Sequence, residues 1–73
     1  MPTIKRFSDC RVEIYKDEHN PPHFHVSFRD GTKVTVTIES LEIMEGRIPK
    51  KRVKKVLEWA KENQRLLMAK WKE

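Results

Sequence analysis

The sequence predicts an α+β fold: a small antiparallel sheet of three to five strands with one long C-terminal helix packed on one face. Apolar residues alternate with polar ones through the first half of the chain, which is typical of half-buried strands. The pair Asp30-Gly31 lies between two such segments and is a strong hairpin signal. From about Pro49 onward the apolar spacing becomes that of a helix.

The alternating segments are residues 3–7, 11–15, 23–28 and 33–38, and residues 41–44 form a further short strand or a turn. Because successive side chains of a strand point to opposite faces, each segment contributes its apolar residues to one side. We expect these residues to face the helix: Val12, Ile14, Phe24, Val26, Phe28, Val34, Val36 and Ile38. The other face of the sheet is expected to be open to solvent.

The predicted helix runs from about Pro49 to Trp71. Its apolar stripe consists of Val53, Val56, Leu57, Ala60, Gln64, Leu67 and Trp71. A helix of about 22 residues is about 33 Å long, whereas five- or six-residue strands span about 17–20 Å. The helix should therefore extend past the sheet and leave Leu66, Leu67, Met68 and Trp71 to be covered by a second copy of the chain or by a partner protein. A frayed or bent helix end packed on the sheet edge is the alternative.

The size of the chain, 73 residues, predicts one domain, residues 1–73, with a sheet portion at 1–46 and a basic helical portion at 47–73. The lone Cys10 excludes an internal disulfide and a cysteine-based zinc site, and we expect it to be a small residue at a strand start. No apolar run is long enough for a membrane span or a signal peptide. These features predict a soluble, cytoplasmic protein.

Charge is distributed unevenly along the chain. Residues 1–46 carry six Lys or Arg and eight Asp or Glu, a net charge of −2. Residues 47–73 carry ten Lys or Arg and three Glu, a net charge of +7, and the two parts account for the total of +5. The positive C-terminal part is expected to face an anionic partner, either nucleic acid or an acidic protein.

All three histidines lie in the segment HNPPHFH, residues 19–25. If Phe24 and Val26 face the core, strand alternation makes His23 and His25 point together to the open face, about 6.5–7 Å apart along the backbone. Ser27 continues this row, and Arg11, Glu13 and Tyr15 share the same face if their strand pairs next to it. Two adjacent prolines stiffen the loop that leads to the row.

Three interpretations of the histidines remain open. In the first, His23, His25 and Arg11 supply the base, acid and cation of RNA cleavage, with Tyr15 or Glu13 as substitutes. In the second, His23 and His25 bind a divalent transition metal with a third ligand. The candidates for that third ligand are His19, Glu13 and Asp17. In the third, a histidine only caps a turn, donates to a backbone carbonyl or stacks on Tyr15.

The first turns of the predicted helix are crowded with positive charge from Lys50, Lys51, Arg52, Lys54 and Lys55. A helix N-terminus already carries about half a positive charge, so these residues destabilise the isolated helix slightly. The arrangement favours an external anion such as a nucleic-acid phosphate. A solvated surface that only keeps the protein soluble is the alternative. The sequence contains no helix-turn-helix, zinc-finger or aromatic RNA-binding motif, so it predicts contact with phosphates and no recognition of bases.

Four stretches of the chain resemble a known family: MPTI followed by RF, then HNPPHFHV, then GRIPK, then VLEWAKENQ. Together they are similar to domain of unknown function 4160, a family of small bacterial proteins. The resemblance extends over nearly the whole chain, and its most specific part is HNPPHFHV at residues 19–26. It implies membership of toxin–antitoxin-like gene pairs and carries no catalytic role for any residue.

The leading hypothesis is therefore a small toxin–antitoxin-type protein that acts on or binds nucleic acid. Its most specific form is a metal-independent ribonuclease that uses His23, His25, Arg11 and Tyr15. The second hypothesis is a non-enzymatic binding module. This module is either the regulatory partner in such a gene pair or a histidine-based metal-binding domain.

Overall fold

The structure, a computed structural model, describes residues 3–15 and 19–72. Five strands are followed by two helices. The strands are β1 (Thr3–Arg6), β2 (Cys10–Glu13), β3 (His23–Phe28), β4 (Lys33–Thr37) and β5 (Ile43–Glu45), and the helices are α1 (Lys50–Glu62) and α2 (Gln64–Lys72). The predicted α+β class and antiparallel sheet are confirmed.

The strands form one antiparallel meander in the order β1-β2-β3-β4-β5, so each strand pairs with its neighbours in the chain. The predicted Asp30-Gly31 turn joins β3 to β4. Gly31 N–H donates to Phe28 O at 3.0 Å, and Gly31 has a φ of 92°, a conformation that glycine adopts at low cost. The chain thus makes a hydrogen-bonded turn from Phe28 to Gly31, and Phe28 N–H donates to Thr32 O at 2.8 Å where the strands begin to pair again.

The predicted inward residues of the sheet are all buried, and they form one core with the helices. The helical contribution comes from Val53, Val56, Ala60 and Leu67. Half-buried aromatic residues extend this core, since Phe7 meets Trp59 edge to face with ring centroids 6.1 Å apart. Strand alternation therefore identified the correct face of the sheet.

The prediction of one long helix is wrong, because the helix is interrupted at Asn63. The Asn63 side chain donates from Nδ2 to Trp59 O at 2.8 Å, while its backbone N–H donates to Ala60 O. The side-chain amide thus occupies a carbonyl that a continuing helix would pair with the Asn63 backbone. Asn63 O still accepts from Leu67 N–H, so the chain resumes a helical path at once.

The second helix is fastened to the residues that follow β4, and its apolar side packs into the core. Gln64 Nε2 donates to Ile38 O at 2.9 Å and to Glu39 O at 3.0 Å. Leu67 is fully buried in the core, and Met68 and Trp71 are half-buried against it. Leu67, Met68 and Trp71 therefore pack against residues of the same chain. The expectation that they need a second copy or a partner protein to cover them is corrected. Leu66 alone of that group is exposed.

Candidate functional site

The candidate site lies on the face of the sheet opposite the buried apolar residues. We call the polar face the set Arg11, Glu13, Tyr15, His23, His25 and Ser27. Glu13 pairs with His25 across β2 and β3, and His25 pairs in turn with Thr35 of β4. The predicted sharing of one face by the two histidines is confirmed, since their ring centroids are 5.2 Å apart.

Glu13 is the most deeply buried residue of this face, at 2% exposure. Its carboxylate accepts three hydrogen bonds: from Arg11 Nε at 3.0 Å, from Tyr15 Oη at 3.0 Å and from Ser27 Oγ at 3.1 Å. Burial alone would raise the pKa of Glu13, but the bonds from Tyr15, Arg11 and Ser27 outweigh it and lower the pKa. A charged carboxylate therefore holds together three side chains that reach the surface.

His25 is half-buried at the centre of the polar face. Its ring lies edge to face with Tyr15, with centroids 4.8 Å apart. Tyr15 is 41% exposed, and the Arg11 side chain is 46% exposed. His25 thus lies beside a hydroxyl and a guanidinium that both reach solvent. Of the four predicted catalytic residues, Arg11, Tyr15 and His25 are brought together at an accessible surface.

His23 differs from its neighbour because it is only 7% exposed. Its ring centroid lies 4.9 Å from that of Trp71, on α2. His23 Nδ1 is 2.8 Å from Pro21 O, and because a carbonyl only accepts, Nδ1 carries the hydrogen. The expectation that both rings emerge into solvent is therefore wrong for His23, because α2 covers this end of the face.

The alternative of a metal site gains no support from the described residues. Among residues 3–15 and 19–72, no three or more His, Cys, Asp or Glu side chains are placed to hold a metal ion. The proposed set was His19, His23, His25 and Glu13, and His19 is exposed while Glu13 is occupied by three donors. Asp17, named as a further ligand, lies outside the described residues.

The basic helix start does not act as one group. Arg52 turns toward the sheet, where it pairs with Asp30 at 2.6 Å and lies 4.5 Å from the centre of the Phe28 ring. The pKa of Asp30 is lowered to about 2 by the backbone N–H and hydroxyl of Thr32, and then by Arg52. Arg52 therefore has an internal partner that its position in the sequence did not reveal.

The lysines of the helix start border a groove of about 350 Å³ on the outer side of α1. Leu41 and Leu57 give the groove an apolar floor, and its rim is formed by Lys50, Lys51, Lys54, Glu58 and Lys61. Lys55 is exposed outside this groove. Three of the five predicted binding residues thus surround an apolar surface, a combination that no sequence pattern indicated.

Cys10 is not a candidate nucleophile. It is buried at the first position of β2, as expected from the sequence. Burial, followed by the neighbouring Asp9, raises the pKa of the thiol to about 11, so it is protonated near pH 7. Its role is to fill space in the core.

Sequence reasoning missed two features of the polar face. The first is Trp71, whose contact with His23 depends on the turn at Asn63. The second is a pocket at the opposite end of the polar face, to which Arg6 and Arg29 contribute together with Arg11. The pairing of Arg6 with Arg11 across a hairpin was the available signal for the second feature.

Comparison with known proteins gives one match. No curated protein and no solved structure matches the chain significantly. In the described part of the chain, neither helix has the length and apolar character that spanning a bilayer requires. A family described as "Domain of unknown function (DUF4160)" matches residues 10–72. The match spans both the histidine segment and the helices, and the chain therefore belongs to the DUF4160 family.

Proposed function

We propose that the protein is a toxin–antitoxin-type ribonuclease that cleaves single-stranded RNA on its polar face without a metal ion. The observation that supports this most is the grouping of His25, Tyr15 and Arg11 at one accessible surface, with Tyr15 and Arg11 both fixed by the buried Glu13. Preorganised groups of this kind are what general acid–base catalysis requires.

In the proposed reaction, His25 removes the proton from a ribose 2′-hydroxyl. The 2′-oxygen then forms a bond to the adjacent phosphorus, and the bond from phosphorus to the 5′-oxygen breaks. Tyr15 turns its O–H away from Glu13, to which it donates in the free protein, and gives the proton to the departing 5′-oxygen. Arg11 stabilises the charge on the phosphate oxygens. The products are a 2′,3′-cyclic phosphate and a 5′-hydroxyl end. The proton on His25 returns to Tyr15, which restores both groups.

His23 has a positioning role in this scheme, because its ring is buried and its Nδ1–H donates to Pro21 O. Its ring lies against that of His25 and limits where the second ring can turn. This assignment replaces the expectation that both histidines act on the substrate. It also accounts for part of the non-catalytic interpretation, since His23 does bond a backbone carbonyl.

The test is cleavage of a labelled single-stranded RNA by the purified protein in EDTA. We expect cyclic-phosphate products, and we expect His25→Gln to lower the rate by about 10²–10⁴-fold, the usual contribution of a general base. His19→Gln is the matched control, because His19 is exposed and His19 and His25 lie in the same short segment. Equal rates for the two variants, or no cleavage by the unmodified protein, would refute the enzymatic proposal.

The toxin role has its own test in living bacteria. Expression of the unmodified protein should slow growth, while His25→Gln at the same protein level should not. Growth inhibition that persists in His25→Gln would separate toxicity from the proposed chemistry.

The second candidate function is a binding module, favoured by the lysine-rimmed groove on α1. Its apolar floor and positive rim suit an acidic amphipathic helix of a partner protein, such as the other member of a gene pair. Nucleic acid is the alternative ligand for the same lysines. Lys54→Glu should weaken binding of an acidic helical peptide, while Lys72→Glu, at an exposed position of α2, serves as the control for charge.

A further inference from the structure

We infer that the pocket containing Arg6, Arg11 and Arg29 is a phosphate-binding site. It lies where β1 ends, β2 begins and β3 ends, and it has a volume of about 360 Å³. Ser8 and Ser27 also line it. This pocket is separate from the His23 end of the polar face and shares only Arg11 and Ser27 with that face.

The strand register places like charges against each other at this pocket. Arg6 of β1 is directly paired with Arg11 of β2, and Arg11 is paired with Ser27 of β3. Directly opposed residues have Cβ atoms about 4.5–5.5 Å apart, and like charges at that distance are destabilising. A bound anion would remove this repulsion, so the arrangement favours an anionic ligand.

The backbone of the third arginine is held beside the β1–β2 turn. Arg29 follows β3 immediately, and its backbone N–H donates to Asp9 O at 3.0 Å, which ties the β3 end to the β1–β2 turn. Guanidinium groups present five N–H donors in a planar fork that matches phosphate oxygens. Arg11 uses its Nε for Glu13, so its other donors remain for a ligand.

The net charge around the pocket indicates which phosphate would fit. Three arginines contribute +3, while Glu13 and Asp9 beside them contribute −2 when ionised. A net charge near +1 matches a phosphodiester, which carries a single negative charge. A terminal phosphate carries a larger charge near pH 7.

The distance between this pocket and His25 connects the pocket to the proposed reaction. Ser27 is two residues from His25 on the same strand and face, a distance of about 6.5–7 Å. On the proposed function, the pocket therefore holds the backbone phosphate next to the one that is cleaved. Binding of phosphate in the pocket does not itself depend on cleavage.

The experiment uses two probes on the full chain. Dimethyl phosphate, which carries the single negative charge of a phosphodiester, is titrated at constant ionic strength while the Nε–H signals of Arg6, Arg11 and Arg29 are followed by NMR. A short 2′-O-methyl RNA, which lacks the attacking hydroxyl, is then bound over a series of salt concentrations. We expect dimethyl phosphate to shift the three arginine signals. Arg6→Gln and Arg29→Gln should each reduce the salt slope of binding by about 0.7, the value for one lost phosphate contact on a single strand.

Arg65→Gln, at an exposed position of α2, is the matched control and should leave the salt slope unchanged. Arg29→Lys should restore most of the slope, because lysine keeps the charge. If dimethyl phosphate fails to shift the arginine signals, the site is refuted. If RNA binds but Arg6→Gln and Arg29→Gln behave like Arg65→Gln, the site is refuted and RNA binding stands. If dimethyl phosphate shifts the signals but RNA neither binds nor is cut, the site is supported and the proposed ribonuclease is refuted.

Discussion

The two ends of the polar face differ although both belong to β3. At the covered end, His23 is buried, donates to Pro21 O and lies against Trp71. At the open end, His25 and Ser27 are half-buried beside the exposed Arg11 and Tyr15. Strand alternation is the same at both ends, so the difference comes from α2, which turns at Asn63 and covers only the first. Alternation decides which side chains share a face, and helix placement decides which of them can meet a ligand.

The largest loss of stability should come from weakening the attachment of α2 to the core, since α2 is what makes the two ends differ. Leu67→Ala removes a fully buried side chain, so we expect a loss of about 2–5 kcal/mol in the free energy of unfolding. Urea unfolding measures it, and Leu66→Ala is the control because Leu66 is 42% exposed and should change stability by less than about 0.5 kcal/mol. Equal losses in the two variants would mean that α2 is not held by its buried face.

The next largest loss of stability should come from changing Glu13, the buried carboxylate of the polar face. Glu13→Gln removes the charge that three donors share, and we expect a loss of about 1–3 kcal/mol near pH 7. Because the folded pKa of Glu13 is lowered, the charged carboxylate stabilises the fold above the unfolded pKa of about 4.3. That stabilisation is lost as the pH falls through the folded pKa.

Urea unfolding of the unmodified protein and of Glu13→Gln over a range of pH tests the direction in which folding shifts the pKa of Glu13. The stability difference should be constant from about pH 6 to 8 and should shrink below about pH 4.3. A difference that grows toward low pH would show that burial, and not the hydrogen bonds, dominates the pKa of Glu13.

A smaller effect should follow from uncovering His23. Trp71→Ala removes a half-buried side chain, so we expect a loss of about 1–2 kcal/mol. The more direct readout is the rate of modification of each histidine by diethyl pyrocarbonate. His23 should react faster in Trp71→Ala, while His25 changes little and provides an internal reference. Unchanged protection of His23 would contradict the assignment of Trp71 as its cover.

The smallest stability effect should be at the open end. His25→Gln replaces a half-buried ring that lies outside the apolar core, and we expect a loss of less than about 1 kcal/mol by urea unfolding. The same variant should lose RNA cleavage, which makes it a test of function rather than of folding. A large destabilisation would place His25 with His23 as a structural residue.

Much of the sheet was predictable because strands have a side-chain period of two. The bounds of β3 were predicted as His23–Phe28, and the buried set on β2, β3 and β4 was also predicted. The break at Asn63 was not predictable from spacing, since one interrupted residue leaves the apolar stripe in phase from Ala60 to Leu67. The Asn63 side chain competes for a carbonyl, and only the folded backbone shows which carbonyl that is.

The site was predictable in its composition and not in its accessibility. The sharing of a face by His23 and His25 followed from alternation. The partner of Arg52 is Asp30, 22 residues away, and no local rule connects them. The arginine pocket likewise joins the ends of three separate strands.

The sequence by itself determined the class of fold, the direction in which each strand side chain points and the sharing of one face by the histidine pair, because these follow from local geometry with a fixed period. The tertiary structure alone decided that His23 is covered, that Glu13 is a buried carboxylate with three donors and that three arginines share a pocket. Those outcomes depend on where α2 and the strand ends come to rest, which is set by packing between residues far apart in the chain.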